Sequence, residues 1–483
     1  MSPSFFASPV AGLHQSRHRI PLVTTASAVR SASVLSACFF LACFFLACCL
    51  TACAGEPVTE PDASPDVAPD AAVNYADDVG PLVHRACLKC HTSDEGIAPF
   101  ALETYAQVAE WATPSLAAMQ ARTMPPWGVT ADGSCNDFRD SRWLSDDDIA
   151  LFATWVDEGK VEGDSNPTFD LPTVLPALEH FTSYQTPSFS PVAEGSILAE
   201  NDEYRCFRLE TDHDVTQFLT GYDVLPGNAK IVHHVLVMPV DPARIGGGGR
   251  TNDQVMSDLD DASPDRLGWP CFGAAGDGVN LSGIPVAWAP GQGVVKYPAG
   301  TGVRVEPGEA LVVQLHYNLI DPADFGASDS SEIRLQWEND IEKEGWFAFP
   351  DGLLESLQSS PNANTLPAGE ADYSFTFTRS MQSLIFGGNA KLWGVMPHMH
   401  GRGTKQNFDI LKADGSEVCG SRVTNWDFNW QGFYMYENAI DVEQGDEIRV
   451  TCNYDTSDAV GPTYPGWGTT AEMCLAVLFF SEP

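Results

Sequence analysis

At 483 residues and 44% apolar composition, the chain is too long for a single core and long enough for about three domains of roughly 150 residues each. Its 65 acidic residues against 26 Lys and Arg give a formal charge of -39, which excludes nucleic acid and anionic membrane surfaces as partners of the body. With 19% charged residues, 41 Gly and 34 Pro, the composition favours a globular, loop-rich protein of many strands over a helical one and confines disorder to local stretches.

Residues 34–52 carry no charge and follow a stretch whose only charges are Arg17, Arg19 and Arg30, the arrangement of a secretory signal. Leu50-Thr51-Ala52-Cys53 fits a bacterial lipoprotein site, in which Cys53 becomes the lipidated first residue. The competing reading is an uncleaved transmembrane anchor, because the run is about long enough to span a bilayer. Both readings export the rest of the chain. Residues 1–52 are therefore expected as leader. Residues 53–74, with Pro57, Pro61, Pro65 and Pro69 among acids, are expected as an extended tether. Ala54 carries no inner-membrane retention charge, which points to an outer-membrane, periplasm-facing or cell-surface location.

Of the 13 cysteines, Cys38, Cys43, Cys48 and Cys49 leave with the leader and Cys53 takes lipid. Cys87-Leu88-Lys89-Cys90-His91 is the c-type haem attachment motif: two thiols one helical turn apart take up the vinyl groups and the adjacent imidazole reaches the iron. A redox pair followed by an accidental histidine is the alternative. Met124, opening the proline-fixed loop Met124-Pro125-Pro126, is the expected second axial ligand; Met119, on a helix expected over 115–123, reads more as core packing. Tyr105, Val108, Ala109 and Ala112 have helical spacing, and Pro114 is expected to break that run. Ser145 is expected to cap a last helix, with Asp146, Asp147 and Asp148 in its first turn and Gly159 at its end. Residues 75–162 thus resemble a small all-α, class I-like cytochrome c domain, whose filled iron coordination suits electron transfer. Six cysteines remain, at 135, 206, 271, 419, 452 and 474. They imply up to three disulfides, and none of the fifteen connectivities is chosen by the sequence.

Residues 163–182 are expected as linker. Beyond them come short alternating runs punctuated by Gly, Pro, Asn and Asp: 230–240, 310–320, 373–378, 391–400, 447–454 and 473–480. They predict two all-β antiparallel, jelly-roll-like sandwiches, over 183–340 and 341–483. Five histidines lie in these runs. His398 and His400 leave the same face of a strand, which suits two ligands on one metal. Adjacent His233 and His234 leave opposite faces of an ideal strand, so they share a metal only at a strand end or through different ring nitrogens. His84, His180 and His213 read as surface or structural residues.

In order, Val232-His233-His234-Val235, Ala287-Trp288-Ala289-Pro290, Gln314-Leu315-His316-Tyr317, His398-Met399-His400-Gly401 and Glu472-Met473-Cys474 resemble the copper type II, ascorbate-dependent monooxygenases over about residues 200–483. That resemblance implies two copper ions. His233, His234 and His316 match the ligands of the electron-transfer copper, and His398, His400 and Met473 those of the oxygen-binding copper. Imidazole suits both copper oxidation states and a thioether favours the reduced one. The same resemblance implies a Cys452–Cys474 disulfide and a bridge from Cys206, for which Cys271 is the natural partner. Cys135 and Cys419 either pair across domains or stay free. Where amidating members clamp a peptide carboxylate, this chain has Met396, Leu475 and Val477, which implies a more apolar, uncharged substrate.

The expected function is hydroxylation of a C–H bond of a small organic substrate with dioxygen. Electrons are expected to pass from the fused haem to the first copper and then the second, supplementing or replacing an ascorbate-like reductant or a periplasmic redox protein. A non-catalytic exported copper-binding, electron-transfer haem protein would keep the same ligands.

Overall fold

The computed structural model describes residues 72–88, 90–93, 98–164, 177–193, 201–271, 274–290, 292–319, 321–353, 365–466 and 470–483. The expected leader, Cys53 and nearly all of the tether lie outside these residues. Among the described residues no helix is long and apolar enough to cross a membrane.

The front of the chain is helical. One π turn (Tyr75–Val79) runs into α1 (Gly80–Ala86), and α2 (Tyr105–Gln120) and α3 (Asp146–Asp157) follow. Val79, Leu82, Val83, Val108, Ala112, Met119, Phe152 and Trp155 form their common core. The Ser145 hydroxyl accepts from the Asp148 amide and the Asp148 carboxylate accepts from the Ser145 amide, closing the expected capping box of α3. Gly159 ends the segment with φ 93°. Pro114 does not break α2. It lies on the exposed face, as does Glu110, whose carbonyl it leaves without an amide partner, so water can take that acceptor. The Lys160 ammonium meanwhile donates to the neighbouring Ala109 carbonyl at 3.0 Å. The buried stripe of Val108, Ala112 and Met119 continues past the proline and holds one helix where two were expected.

The first β region contains β1 (Thr182–Gln185), β2 (Asp202–Leu209), β3 (Gln217–Leu225), β4 (Val232–Val240), β5 (Trp269–Pro270), β6 (Val286–Trp288), β7 (Val295–Lys296), β8 (Thr301–Val305), β9 (Ala310–Asn318) and β10 (Glu332–Glu338), with α4 (Asn252–Asp261) between β4 and β5. The second contains β11 (Lys343–Ala348), β12 (Tyr373–Ser380), β13 (Asn389–His398), β14 (Gly403–Leu411), β15 (Glu417–Val423), β16 (Tyr434–Glu443), β17 (Glu447–Tyr454) and β18 (Leu475–Ser481). One sheet of the first region runs β5-β2-β9-β4-β6, and one of the second runs β12-β17-β14-β15.

The facing sheets are not separate. A single sheet, β1-β10-β3-β8-β11-β18-β13-β16, serves both regions, and β8 and β11 pair in parallel across the junction. Two wholly antiparallel sandwiches were expected, and the boundary near residue 340 proves to be a turn within one continuous sheet. Close packing at the junction needs glycine: a Cβ on Gly302 would stand 2.8 Å from the Phe218 Cβ, and one on Gly345 2.8 Å from the Phe479 ring. Central β18 is buried at every position. Phe479 enters the first core while Phe480, Leu478 and Ala476 enter the second, which is why its sequence reads as an unbroken apolar run.

Residues 127–142 leave the helices and strap onto the second sandwich. Val129 and Phe138 join its core, Phe138 bridges to Tyr436, and the Thr130 amide donates to the Arg422 carbonyl at 2.7 Å. Cys135 and Cys419 form a disulfide that closes 284 residues of chain, and the other two bridges are Cys206–Cys271 and Cys452–Cys474, as the resemblance implied. Replacing Cys135 and Cys419 together by serine is expected to cost about 2–4 kcal/mol. The urea midpoint under non-reducing conditions measures it; an unchanged midpoint would show that packing alone holds the strap.

Candidate metal centre

The adjacent histidines of β4 reach one point because the strand is bulged there. Val232 pairs with Tyr317 and His234 with His316, which leaves His233 as the extra residue. The bulge breaks the alternation of faces that would have separated the two rings. His316 Nδ1 then lies 3.2 Å from His233 Nδ1 and 3.1 Å from His234 Nδ1. Three nitrogens sharing a metal at about 2.0–2.1 Å in tetrahedral directions stand about 3.3 Å apart, so the cluster fits an ion held through three Nδ1 atoms. Asp202, fully buried, faces His316 Nε2 at 3.1 Å and also accepts from Asn318 Nδ2 at 2.8 Å. A proton held on Nε2 by that carboxylate leaves the Nδ1 lone pair for metal. Tyr204 stacks flat on the His316 ring at 4.0 Å and fixes its plane.

The second set uses the opposite nitrogens. His398, at the end of β13, presents Nδ1 to Gln431 Oε1 at 2.5 Å, and His400 presents Nδ1 to the Ala471 carbonyl at 3.0 Å. With both Nδ1 atoms donating, both Nε2 atoms keep lone pairs for a metal. The rings stand 5.2 Å apart at 89°. Met473 lines the same cavity, and its backbone is fixed by the Tyr454 hydroxyl on its carbonyl at 2.7 Å and by the neighbouring Cys474 bridge. Buried Glu472 ties the two ligand segments together, accepting from the amides of His400 at 2.9 Å and Arg402 at 2.7 Å.

All six residues line one cavity of about 130 Å³. Leu236, Ile284, Ala287 and Trp288 form part of its wall, and Met396, Leu475 and Val477, the positions singled out for substrate, lie there too. Phe428 stands between the two sets, its ring centroid 4.5 Å from that of His233 and 6.0 Å from that of His400. Sequence reading missed Asp202, Phe428, Gln431 and the cavity carboxylate Asp351. None belongs to a spacing motif, and only the pairing of β2 with β9 brings Asp202 opposite the His316 strand.

At the helical front, Cys87 and Cys90 are free thiols, whereas the other described cysteines are all bridged. The His91 amide donates to the Cys87 carbonyl at 3.0 Å, which closes the turn that follows α1. His91 Nδ1 faces the Phe100 carbonyl at 2.9 Å and leaves Nε2 available. This donor set fits a thioether-linked haem with one imidazole ligand. Met119 is buried in the helical core, and Met124 is 37% exposed. His180 lies at the surface beside Glu338, and the His213 ring packs edge-on against Trp337.

Two sets of donor side chains line the cavity, one of three imidazoles and one of two imidazoles with a thioether, and their chemistry suits nitrogen- and sulfur-preferring metal. Residues 352–483 match the model of the copper type II ascorbate-dependent monooxygenase C-terminal domain. Tyramine beta-hydroxylase of Caenorhabditis briggsae is 23% identical over 53% of this chain and 41% of its own length. DBH-like monooxygenase protein 1 of Homo sapiens is 25% identical over 53% and 40%, and dopamine beta-hydroxylase of Rattus norvegicus is 25% identical over 40% and 31%. The chain therefore spans under half the length of these relatives. The major capsid protein P2 of bacteriophage PM2 is similar at a TM-score of 0.23 and 10% identity, covering 63% of this chain and 97% of that one, too slight a likeness to bear on the fold.

Burial pushes His233 and His398 down to about 4 and His400 to about 3, and drives His234 and His316 well below the usual imidazole range. The unfolded chain thus takes up protons near 6.5 that the folded chain refuses until about 4. Stability of the metal-free protein is expected to fall as pH drops through that window. Burial also lifts Glu472 to about 7, which acts with the opposite sign between 4.5 and 7, as one group against the histidines. Urea unfolding of chelator-treated protein at pH about 7.5 and about 5 measures the balance; equal midpoints would contradict it. Asp202→Asn is expected to weaken metal binding at the three-histidine site by about 10–100-fold, read by chelator competition, with the other site unchanged.

Proposed function

We propose that the chain is a copper-dependent monooxygenase that hydroxylates a C–H bond of a small organic substrate with dioxygen and two electrons. One observation carries this reading: both ligand sets, with His233, His234 and His316 opposite His398, His400 and Met473, line a single apolar cavity. Bound copper would supply the one-electron couple and the oxygen chemistry. The protein's part is to present neutral nitrogens in fixed directions through Asp202, Gln431 and the Ala471 carbonyl, and to surround them with the apolar side chains of Leu236, Ile284, Trp288, Met396 and Leu475. Asp351, 5% exposed, also lines the cavity and offers an acceptor to a substrate with an apolar body and one donor or cationic group. That refines the wholly uncharged substrate implied by Met396, Leu475 and Val477. It is compatible with relatives named for tyramine and dopamine.

Cys87 and Cys90 attach a c-type haem in this reading, His91 ligates its iron, and Met124 is the expected second ligand. The free thiols and the Phe100 carbonyl on His91 Nδ1 support it. The helical domain then serves as electron source for the three-histidine site, fed by an ascorbate-like reductant or a periplasmic redox protein. Export and lipid anchoring through Cys53 complete the reading.

Met473→Ala is expected to abolish incorporation of oxygen from labelled dioxygen into product while leaving the haem spectrum unchanged. Metal analysis of the copper-loaded protein should give about two coppers per iron. Wild-type hydroxylation by the variant would remove Met473 from the oxygen-activating set, whereas no labelled product from the wild-type protein, or one copper per iron, would return the chain to a non-catalytic electron-transfer role.

A further inference from the structure

Phe428 touches one ring of each ligand set. It lies in the stretch 424–433 that joins β15 to β16 in the second β region, yet its ring stacks on His233 of the first, at 4.5 Å and 26°. Its edge meets His400 of the second set, at 6.0 Å and 84°. Asn425 and Asn429 in the same stretch are exposed and Phe428 itself is half-buried, so hydrogen bonds, more than burial, hold this loop in place.

Those bonds run to the second set. Trp426 donates its indole N–H to the His400 carbonyl at 3.1 Å and its amide to the Thr404 carbonyl at 2.9 Å. The approach is close, since a Cβ on Gly403 would stand 2.9 Å from the Trp426 ring. The chain then turns at Asp427, whose carboxylate accepts from the Asn429 amide at 2.9 Å and whose carbonyl accepts from the Trp430 amide at 3.1 Å. Gln431 closes the loop from both ends of its carboxamide: Nε2 donates to the Phe428 carbonyl at 2.8 Å, and Oε1 meets His398 Nδ1 at 2.5 Å.

We propose that Phe428 is a positioning residue that couples the two sets, so that a metal ion on His398, His400 and Met473 strengthens binding on His233, His234 and His316. With a cation on its Nε2, His398 becomes a stronger donor through Nδ1–H to Gln431. A fixed Gln431 carboxamide fixes the Phe428 carbonyl, and with it the ring that lies flat on His233. Filling the second set thereby orders the loop, and the first set then binds without that entropic cost. Linkage makes the effect reciprocal, so metal on the first set strengthens binding at the second by the same factor. The coupling rests on the copper reading, because each set must hold an ion.

A double-mutant cycle on the full chain tests the coupling. Copper(II) alone is titrated against a competing chelator, and the three-histidine set is followed by its own electron paramagnetic resonance signal. His400→Ala, which disables the second set, is expected to weaken copper binding at the first by about tenfold. Phe428→Leu keeps an apolar side chain without the ring stack; it is expected to give the same loss by itself, and the double variant no more than either. Phe428→Tyr, which keeps the ring, is expected to retain wild-type affinity. Gln431→Leu cuts the link from His398 to the Phe428 carbonyl, is expected to show the same loss, and serves where Phe428→Leu does not fold. Additive losses in the double variant, or wild-type affinity at the first set in Phe428→Leu or Gln431→Leu, overturn the proposal. A wild-type chain that takes up fewer than two coppers overturns the copper reading, and the coupling with it.

Discussion

Five imidazoles buried together in an apolar cavity cannot carry their protons, and burial drives all of them toward the neutral form. A neutral imidazole has one donor and one lone pair, so the surrounding residues must decide which nitrogen is which. Asp202 decides it for His316, Gln431 for His398 and the Ala471 carbonyl for His400. The result is opposite in the two halves: the first set converges through Nδ1 and the second leaves Nε2 open. The difference follows from backbone position, since a bulged strand carries His233 and His234 while a strand end carries His398 and the residue two beyond it.

That requirement explains how the second sandwich is stapled around its ligands. Met473 lies between Glu472, whose carboxylate gathers the amides of the His400 loop, and Cys474, whose bridge reaches β17. A thioether is a weak and flexible ligand, and its side chain has more rotamers to lose than an imidazole. Fixing its backbone from both sides reduces that cost before any metal arrives.

Much of this was legible from pattern. Alternating runs at 310–320, 391–400 and 447–454 became β9, β13 and β17, and the cap at Ser145 formed as its side chain required. His-X-His on one strand face and the order of motifs singled out the six residues that the structure brings around one cavity. The bulge at His233 was not legible, because no residue type there demands it; the pairing of β4 with β9 imposes it. Pro114 misled because helix propensity is local, whereas the stripe that carries α2 through it is tertiary. Asp202 and Gln431 escaped for the same reason, being far in sequence from the rings they orient.

The parallel pairing of β8 with β11 bears on how this architecture can be divided. A chain cut near residue 340 would yield two pieces, one showing the open edge of β8 and the other the open edge of β11, each with unpaired amides and carbonyls beside apolar faces. Such edges seek any strand that will cover them, and in dilute fragments the nearest available one belongs to a neighbouring copy. The two halves are thus each other's protection against self-association, and a fragment carrying only one of the two donor clusters would meet that hazard unshielded.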